Sequence, residues 1–131
     1  MTTFQSKITI NRPVAEVYAF LADMNNHQQL MPDSISEWSS TVDEASFNIQ
    51  NMVKLSLKVD SRTPDKLITI IPAAKPPFDM NLTWALSGDD KETTVTYTIS
   101  ADLNMMMKMM ASGPLQKLAD HETSSLAAAV K

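Results

Sequence analysis

The feature that most constrains the fold of this chain is the order in which its hydrophobic periods change. Apolar residues alternate with polar ones over residues 4–10, then follow a helical period over Val14–Leu21. A period of two returns through the middle of the chain, and residues 102–131 are helical in pattern again. Strands show the first period and amphipathic helices the second. The order therefore predicts an α+β protein, with an antiparallel sheet whose concave face is filled by the terminal helix.

The first quarter of the chain predicts one strand followed by a helix that begins at a proline. Pro13 suits the first position of a helix, because the N–H that proline lacks would have no helical partner there. Val14, Val17, Tyr18 and Leu21 then follow at the spacing of one apolar helical face.

A second short helix is expected at residues 27–31. Asp23 or Asn25 would cap its start, and Pro32 would end it, because the residue before a proline disfavours helical backbone.

Six further segments predict strands joined by connections of hairpin length. Turn residues are expected at Asn51, at 61–65 and at 87–91, and the proline-rich stretch 72–77 is expected to be a loop. The run at 66–71 is rich in β-branched residues and predicts burial on both faces. The predicted strands are 35–42, 45–50, 53–59, 66–71, 80–86 and 95–101.

The terminal helical segment contains two unusual features. Gly113 and Pro114 predict a kink or a break, because proline cannot donate to the carbonyl of Met110. Five of the ten methionines lie between Met105 and Met110. Methionine either fills gaps in a core or lines an adaptable binding surface, and both interpretations stay open here.

The bulk composition excludes several classes of protein. The 131 residues suffice for one domain, residues 1–131. A net charge of −4 argues against nucleic-acid binding, and the absence of cysteine excludes disulfides and thiolate sites. Glycine-rich phosphate loops, a signal-peptide pattern and a membrane-length apolar run are all missing. We therefore expect a cytoplasmic protein with no integral membrane segment.

No cofactor or metal site is predicted. The chain has two histidines, His27 and His121, and neither belongs to a pattern that places metal ligands on one face of a helix. Both are predicted to be solvated surface residues.

The stretch ITINRPVAEVYAFLADMNNHQQLMP resembles the opening of the START-like superfamily, also called Bet v 1-like or helix-grip, in its small bacterial SRPBCC or polyketide cyclase/dehydrase-like form. The family usually has an aromatic residue, often tryptophan, near position 18, where this chain has Tyr18. The positions that carry the resemblance are Pro13, Glu16, Val17, Leu21, Asp23 and Pro32.

The resemblance implies a helix-grip fold. In that fold a curved antiparallel sheet of about six to seven strands wraps around a long C-terminal helix, and two short helices follow the first strand. It also implies an apolar cavity between the sheet and the terminal helix. The superfamily includes lipid carriers, cyclases and chaperone activators, and these groups share no catalytic residue that can be matched in this chain. The resemblance therefore transfers no catalytic residue.

We expect a ligand cavity lined by inward-facing strand residues, by the second helix and by the methionine-rich start of the terminal helix. Trp84 and Tyr97 each carry a polar group that either bonds a ligand or bonds backbone in a closed core. The predicted lining is Leu30, Leu55, Leu57, Leu82, Trp84, Tyr97, Ile99, Met106, Met109 and Met110.

Three functions remain open. The first is binding or transport of a small hydrophobic or amphipathic ligand, such as a lipid, isoprenoid or polyketide. The second is a polyketide cyclase or dehydratase-type enzyme that uses Tyr97, His27 or Asp23 in the cavity. The third is a ligand-free protein-interaction domain, as in chaperone activators, which a solidly packed core would favour. The oligomeric state is not predicted.

Overall fold

The computed structural model of the protein describes residues 2–33, 35–49, 53–73 and 79–130. Within these residues, a strand is followed by a helix, a 3₁₀ helix, six more strands and a long helix. The helices are α1 (Val14–Leu21), the 3₁₀ helix (Met24–Leu30) and α2 (Met105–Ala129). The strands are β1 (Thr2–Ile10), β2 (Ile35–Ser40), β3 (Glu44–Ile49), β4 (Val53–Thr63), β5 (Leu67–Pro72), β6 (Met80–Gly88) and β7 (Thr93–Ala101).

In the described part of the chain, seven strands form one curled antiparallel sheet in the order β1-β7-β6-β5-β4-β3-β2. Consecutive strands pair as hairpins from β2 to β7, and β1 pairs with β7 at the far edge. The helix-grip fold class predicted from the sequence is confirmed. The curl leaves a concave face that one long helix can cover.

Two predictions about β4 and β5 were wrong. β4 continues to Thr63 through most of the predicted turn, and the reversal is made by residues 64–66 with Asp65 in left-handed backbone at φ 62°. A register shift between Val59 and Ser61 accommodates this longer strand. In β5 the inward residues Ile68 and Ile70 are buried, but the outward ones are only half-buried, so the strand is not buried on both faces.

The first quarter of the chain folds largely as its pattern predicts. Pro13 lies one position before α1, whose residues Val17 and Leu21 are buried. The second helix has 3₁₀ geometry and begins at Met24, earlier than predicted, with the Asp23 side chain accepting a hydrogen bond from the backbone N–H of Asn25 at 2.9 Å. The turn predicted at Asn51 and residues 74–77 of the predicted loop lie outside the described residues.

Helix α2 continues through Pro114, so of the predicted kink or break the break is wrong. Its start is capped by the Asn104 side chain, which accepts a hydrogen bond from the N–H of Met107 at 2.8 Å. Pro114 and Met110 both lie on the exposed side of the helix. Water can reach the carbonyl that proline leaves without an N–H partner, so the loss does not end the helix.

Polar contacts hold α2 against β1 and set which face of the helix turns inward. The Ser6 hydroxyl bonds the Thr123 hydroxyl at 2.7 Å, and Gln116 Nε2 donates to the Gln5 carbonyl at 3.1 Å. Leu115, Ala119 and Leu126 are buried on this face, whereas Ala129 near the end of the helix is exposed. The core therefore lies between α2 and the inner face of the sheet.

Candidate functional site

An apolar cavity lies between the inner face of the sheet, the 3₁₀ helix and the second half of α2. Strands β3 to β7 contribute Phe47, Leu55, Leu57, Ile70, Met80, Leu82, Trp84, Tyr97 and Ile99 to its wall. The other lining residues are Met24, His27, Met31, Trp38, Leu115, Leu118 and Glu122. Because the side chains of a strand alternate, the residues that each central strand contributes lie at every second position.

The cavity is small in this structure. Its free volume is about 40 Å³, which is room for a few water molecules. Sites for small molecules usually measure about 300–1,000 Å³. Three of the lining residues are methionines (Met24, Met31 and Met80). Methionine has three rotatable side-chain bonds, so these walls can move further than branched residues could.

Trp84 carries the polar atom that most needs explanation. Its side chain is fully buried, and within the described residues its indole Nε1 is the buried side-chain nitrogen or oxygen atom without a hydrogen-bond partner. A buried donor without a partner costs about 1–3 kcal/mol. Trp84 Nε1 makes no hydrogen bond to the described backbone, so the predicted alternative of a closed core in which it does so is wrong.

Aromatic contacts fix the orientation of the Trp84 ring. The Tyr97 ring on the neighbouring strand stacks on it, with centroids 3.9 Å apart and planes 16° from parallel. The His27 ring meets it edge-on at 5.9 Å. Trp84 and Tyr97 are direct partners in the β6–β7 register, which places the two rings side by side on the same face.

Glu122 on α2 is the acidic group of the cavity, and it interacts with the Tyr97 side chain. Burial raises the pKa of Glu122 to about 8, although the Tyr97 hydroxyl acts in the opposite direction. Burial, together with Glu122, raises the pKa of Tyr97 well above its ordinary value. At neutral pH the pair is therefore an uncharged acid beside an uncharged phenol.

His27 is buried, so the prediction that it is a solvated surface residue was wrong. Its Nε2 lies 2.8 Å from the Leu21 carbonyl, which can only accept, so Nε2 donates and Nδ1 is left as an acceptor in the neutral ring. Burial lowers the pKa of His27, outweighing this hydrogen bond and nearby Asp23. His121 is exposed, as predicted.

Trp38 reaches the cavity wall because β2 is irregular. The register of β2 against β3 shifts between Ser36 and Ser39, and Glu37 in that interval has left-handed backbone at φ 54°. The Trp38 ring stacks on Phe47 with centroids 5.3 Å apart. Its Nε1 donates to the Ser40 hydroxyl at 2.9 Å, so this indole has a partner where Trp84 has none.

The structure brings together only some of the residues predicted to line a ligand cavity. Leu30 is buried but is not part of the wall. Met106, Met109 and Met110 are exposed on the first turns of α2, away from the cavity, because the face of the helix that turns inward begins at Leu115. Six predicted residues do surround the cavity, and their contact with a ligand stays a prediction: Leu55, Leu57, Leu82, Trp84, Tyr97 and Ile99.

Sequence reasoning missed Glu122, although a signal for it exists. Leu115, Ala119 and Leu126 mark one face of α2, and Glu122 lies on that face, three positions after Ala119 and four before Leu126. A carboxyl group at a position with core periodicity indicates a buried acid. Asp23, a candidate for the enzyme alternative, caps the 3₁₀ helix and does not line the cavity.

The described residues include no group of three or more histidine, aspartate or glutamate side chains placed to hold a metal ion. In the same part of the chain, no helix is long and apolar enough to cross a membrane.

The fold and the cavity define a helix-grip α+β protein with an apolar interior. Over residues 1–131 the chain matches the family model described as polyketide cyclase/dehydrase and lipid transport. The protein therefore belongs to this family, in agreement with the resemblance seen in its first quarter. No functionally curated protein matches the chain.

Solved structures with low sequence identity share the fold. The protein XoxI from Bacillus cereus is 11% identical with a TM-score of 0.77, covering 99% of this chain and 96% of that one. A protein from Arthrobacter aurescens is also 11% identical, with a TM-score of 0.76 over 98% and 85% of the two chains. A conserved protein from Geobacillus kaustophilus is 17% identical, with a TM-score of 0.73 over 98% and 95%. These likenesses concern the fold alone.

Proposed function

We propose that this protein binds a small hydrophobic or amphipathic molecule in the cavity between the sheet and α2. The observation that carries the proposal is the buried Trp84 Nε1, a hydrogen-bond donor that has no partner and lies in an apolar wall. A core with no ligand to accommodate would gain stability by replacing or pairing such a donor. The family's association with lipid transport agrees with this function.

The free volume of about 40 Å³ is what a ligand-free interaction domain would also show. Two buried groups favour the ligand. The unpartnered Trp84 N–H and the buried Glu122 carboxyl both reduce the stability of a closed core, and neither serves packing alone. We expect a ligand to enter by displacing the flexible side chains of Met24, Met31 and Met80.

Two measurements test this proposal. Organic extracts of the purified protein, analysed by mass spectrometry, should contain a ligand in stoichiometric amount. Nile red, an uncharged apolar dye, should bind saturably at one site and quench tryptophan fluorescence, because both Trp38 and Trp84 line the cavity. If the extract is empty and Nile red binding does not saturate, the ligand-free interaction domain becomes the better account.

A second candidate function is a cyclase or dehydratase-type reaction, and the Glu122–Tyr97 pair favours it. A carboxyl group whose pKa is raised to about 8 stays protonated at neutral pH and can act as a general acid. In a dehydration, Glu122 would give its proton to a hydroxyl group that leaves as water when its C–O bond breaks. The Glu122 carboxylate would then take the proton from the neighbouring carbon as the C=C bond forms, which restores the acid.

The variant E122Q keeps the size of the side chain and removes the acid. If the enzyme reading holds, the molecule recovered from E122Q should be heavier than that from the natural protein by the mass of one water. Identical masses from the two proteins would exclude dehydration by Glu122.

A further inference from the structure

The Trp84 N–H is a hydrogen-bond donor whose position is fixed by neighbouring rings and which has no acceptor among the described residues. The indole ring cannot easily turn its N–H toward another acceptor, because neighbouring rings hold it on two sides. The Tyr97 ring stacks on its face with centroids 3.9 Å apart, and the His27 ring meets it edge-on with centroids 5.9 Å apart. The whole side chain is buried, so it has no contact with bulk solvent. The direction and position of this donor are therefore preorganised, which is what recognition of a ligand atom requires.

The other ring N–H donors of the cavity wall are already engaged. His27 Nε2 donates to the Leu21 carbonyl, and Trp38 Nε1 donates to the Ser40 hydroxyl. Tyr97 and Glu122 face each other across the cavity wall, and their hydroxyl groups interact with one another. Among the ring N–H groups of the described lining residues, Trp84 Nε1 is therefore the one free to meet an incoming molecule, and an N–H donor selects an acceptor.

The charges of the wall exclude an anionic partner for this donor. No lysine or arginine is found among the described residues that line the cavity. His27, which approaches from the 3₁₀ helix, is kept neutral by burial, and Glu122, which approaches from α2, can only add negative charge. A carboxylate would lose its hydration without gaining a cation, whereas an uncharged carbonyl group loses little on entry.

We propose that Trp84 Nε1 is the recognition donor of the cavity, and that the site selects an apolar molecule with an uncharged acceptor, such as a ketone or aldehyde oxygen, over the corresponding carboxylate. This inference rests on the proposed function, because it names the class of ligand for the same cavity. Trp84 is then a specificity-determining residue and not only a core residue.

Two probes of equal chain length test the selection: 2-decanone and decanoate, each titrated near neutral pH with displacement of Nile red as the readout. We expect 2-decanone to bind at least about tenfold more tightly than decanoate. In the natural protein labelled with ¹⁵N, 2-decanone should move the indole N–H signal of Trp84 downfield, as expected for a new hydrogen bond. The indole signal of Trp38 should shift less, because its N–H is already bonded.

The matched pair of variants is W84F and W38F. Both replace a cavity indole by a smaller aromatic ring, but only W84F removes a free donor. W84F should weaken 2-decanone binding about three- to tenfold relative to W38F, and leave decanoate binding at its already low level.

The outcomes separate the two proposals. Saturable Nile red binding with equal affinities for 2-decanone and decanoate, or an unmoved Trp84 indole signal at saturation, would overturn the selection and leave the binding function intact. The measurement of the indole N–H signal uses the natural protein, so it tests the role of Trp84 even if W84F does not fold. If neither probe nor Nile red binds, the binding function itself fails.

Discussion

The side chains of Tyr97 on β7 and Glu122 on α2 form a buried, interacting pair where the sheet meets the terminal helix. Glu122 is 2% exposed and lies one residue before Thr123, whose hydroxyl bonds Ser6 on β1 at 2.7 Å. The contact to β1 fixes the rotation of α2 and so directs Glu122 into the cavity. Ser6 and Tyr97 are direct partners in the β1–β7 register, so two neighbouring strands hold this part of α2 in place.

Glu122 should make the stability of the protein depend on pH. Its pKa is raised from 4.5 to about 8 in the folded state, so between these values the folded protein keeps a proton that the unfolded chain loses. The free energy of unfolding should therefore fall as pH rises through this window, by an amount on the order of 4 kcal/mol. Tyr97, which faces the same cavity, stays uncharged throughout this window, and the lowered pKa of His27 keeps that ring neutral above about pH 6.5.

The variant E122Q measures this effect through denaturant unfolding at several pH values from about 5 to 8. We expect E122Q to be more stable than the natural protein at the upper end, and the difference to shrink as pH falls. D120N, which neutralises an exposed carboxylate two residues earlier on α2, should change little. A difference between E122Q and the natural protein that stays constant with pH would contradict the buried acid.

His27 should produce the opposite dependence at lower pH. Its pKa is lowered by burial, so the unfolded chain takes up a proton below about pH 6.5 that the folded protein does not bind, and stability falls as pH falls. H27L should remove this loss. It should also destabilise the protein at neutral pH by about 1–3 kcal/mol, because the Leu21 carbonyl loses its partner. The exposed His121 gives the control H121Q, whose unfolding curves should match those of the natural protein.

Arg62 joins three parts of the fold. From β4 it donates to the Ala22 carbonyl at the end of α1 at 2.8 Å and to the Val42 carbonyl at 3.1 Å, and it pairs with Asp43 at 2.9 Å. R62A should lower the free energy of unfolding by about 1–3 kcal/mol, because two carbonyls lose a charged donor. D43N should cost less than about 1 kcal/mol, since the Asp43 side chain is 68% exposed. Equal losses of stability in the two variants would show that Arg62 stabilises the fold through its ion pair with Asp43 and not through its hydrogen bonds to the two carbonyls.

The two glycines should respond to alanine in opposite ways. A Cβ at Gly88 would lie 2.3 Å from the Glu92 carbonyl oxygen and 2.7 Å from the Thr93 Cα, so G88A should destabilise the β6–β7 turn by about 1–3 kcal/mol. A Cβ at Gly113 meets nothing within 4 Å. Since Gly113 lies inside α2, G113A should stabilise by about 0.5–1 kcal/mol. Thermal unfolding of both variants checks the signs, and a destabilising G113A would argue against a continuous helix there.

The methionines should divide into two classes when the protein is treated with dilute hydrogen peroxide. Met105, Met106, Met109 and Met110 are 68–82% exposed, whereas Met24 and Met80 are 2% and 7% exposed. Oxidation to the sulfoxide follows access, so the first group should react well before the second. Peptide mapping by mass spectrometry follows each site in time. Slow oxidation at the start of α2 would mean that this surface is covered in solution.

The strand segments and the helices were predictable because their signals are local. The alternation in β6 and β7 places Leu82, Trp84, Tyr97 and Ile99 on one face whatever the rest of the chain does. Pro114 was misjudged, because its cost depends on whether water can reach the carbonyl of Met110, and only the assembled fold shows that this side of α2 is exposed.

The sequence by itself determined the fold class, the order of the elements and the inward face of each central strand, since these follow from periodicity. Only the tertiary structure decided which face of α2 meets the sheet, and with it that Glu122 is buried and the methionines from Met105 to Met110 are mostly exposed. It also decided that His27 is buried and that Trp84 Nε1 has no partner. Partners and pKa values depend on contacts between residues far apart in the chain, and no local pattern encodes them.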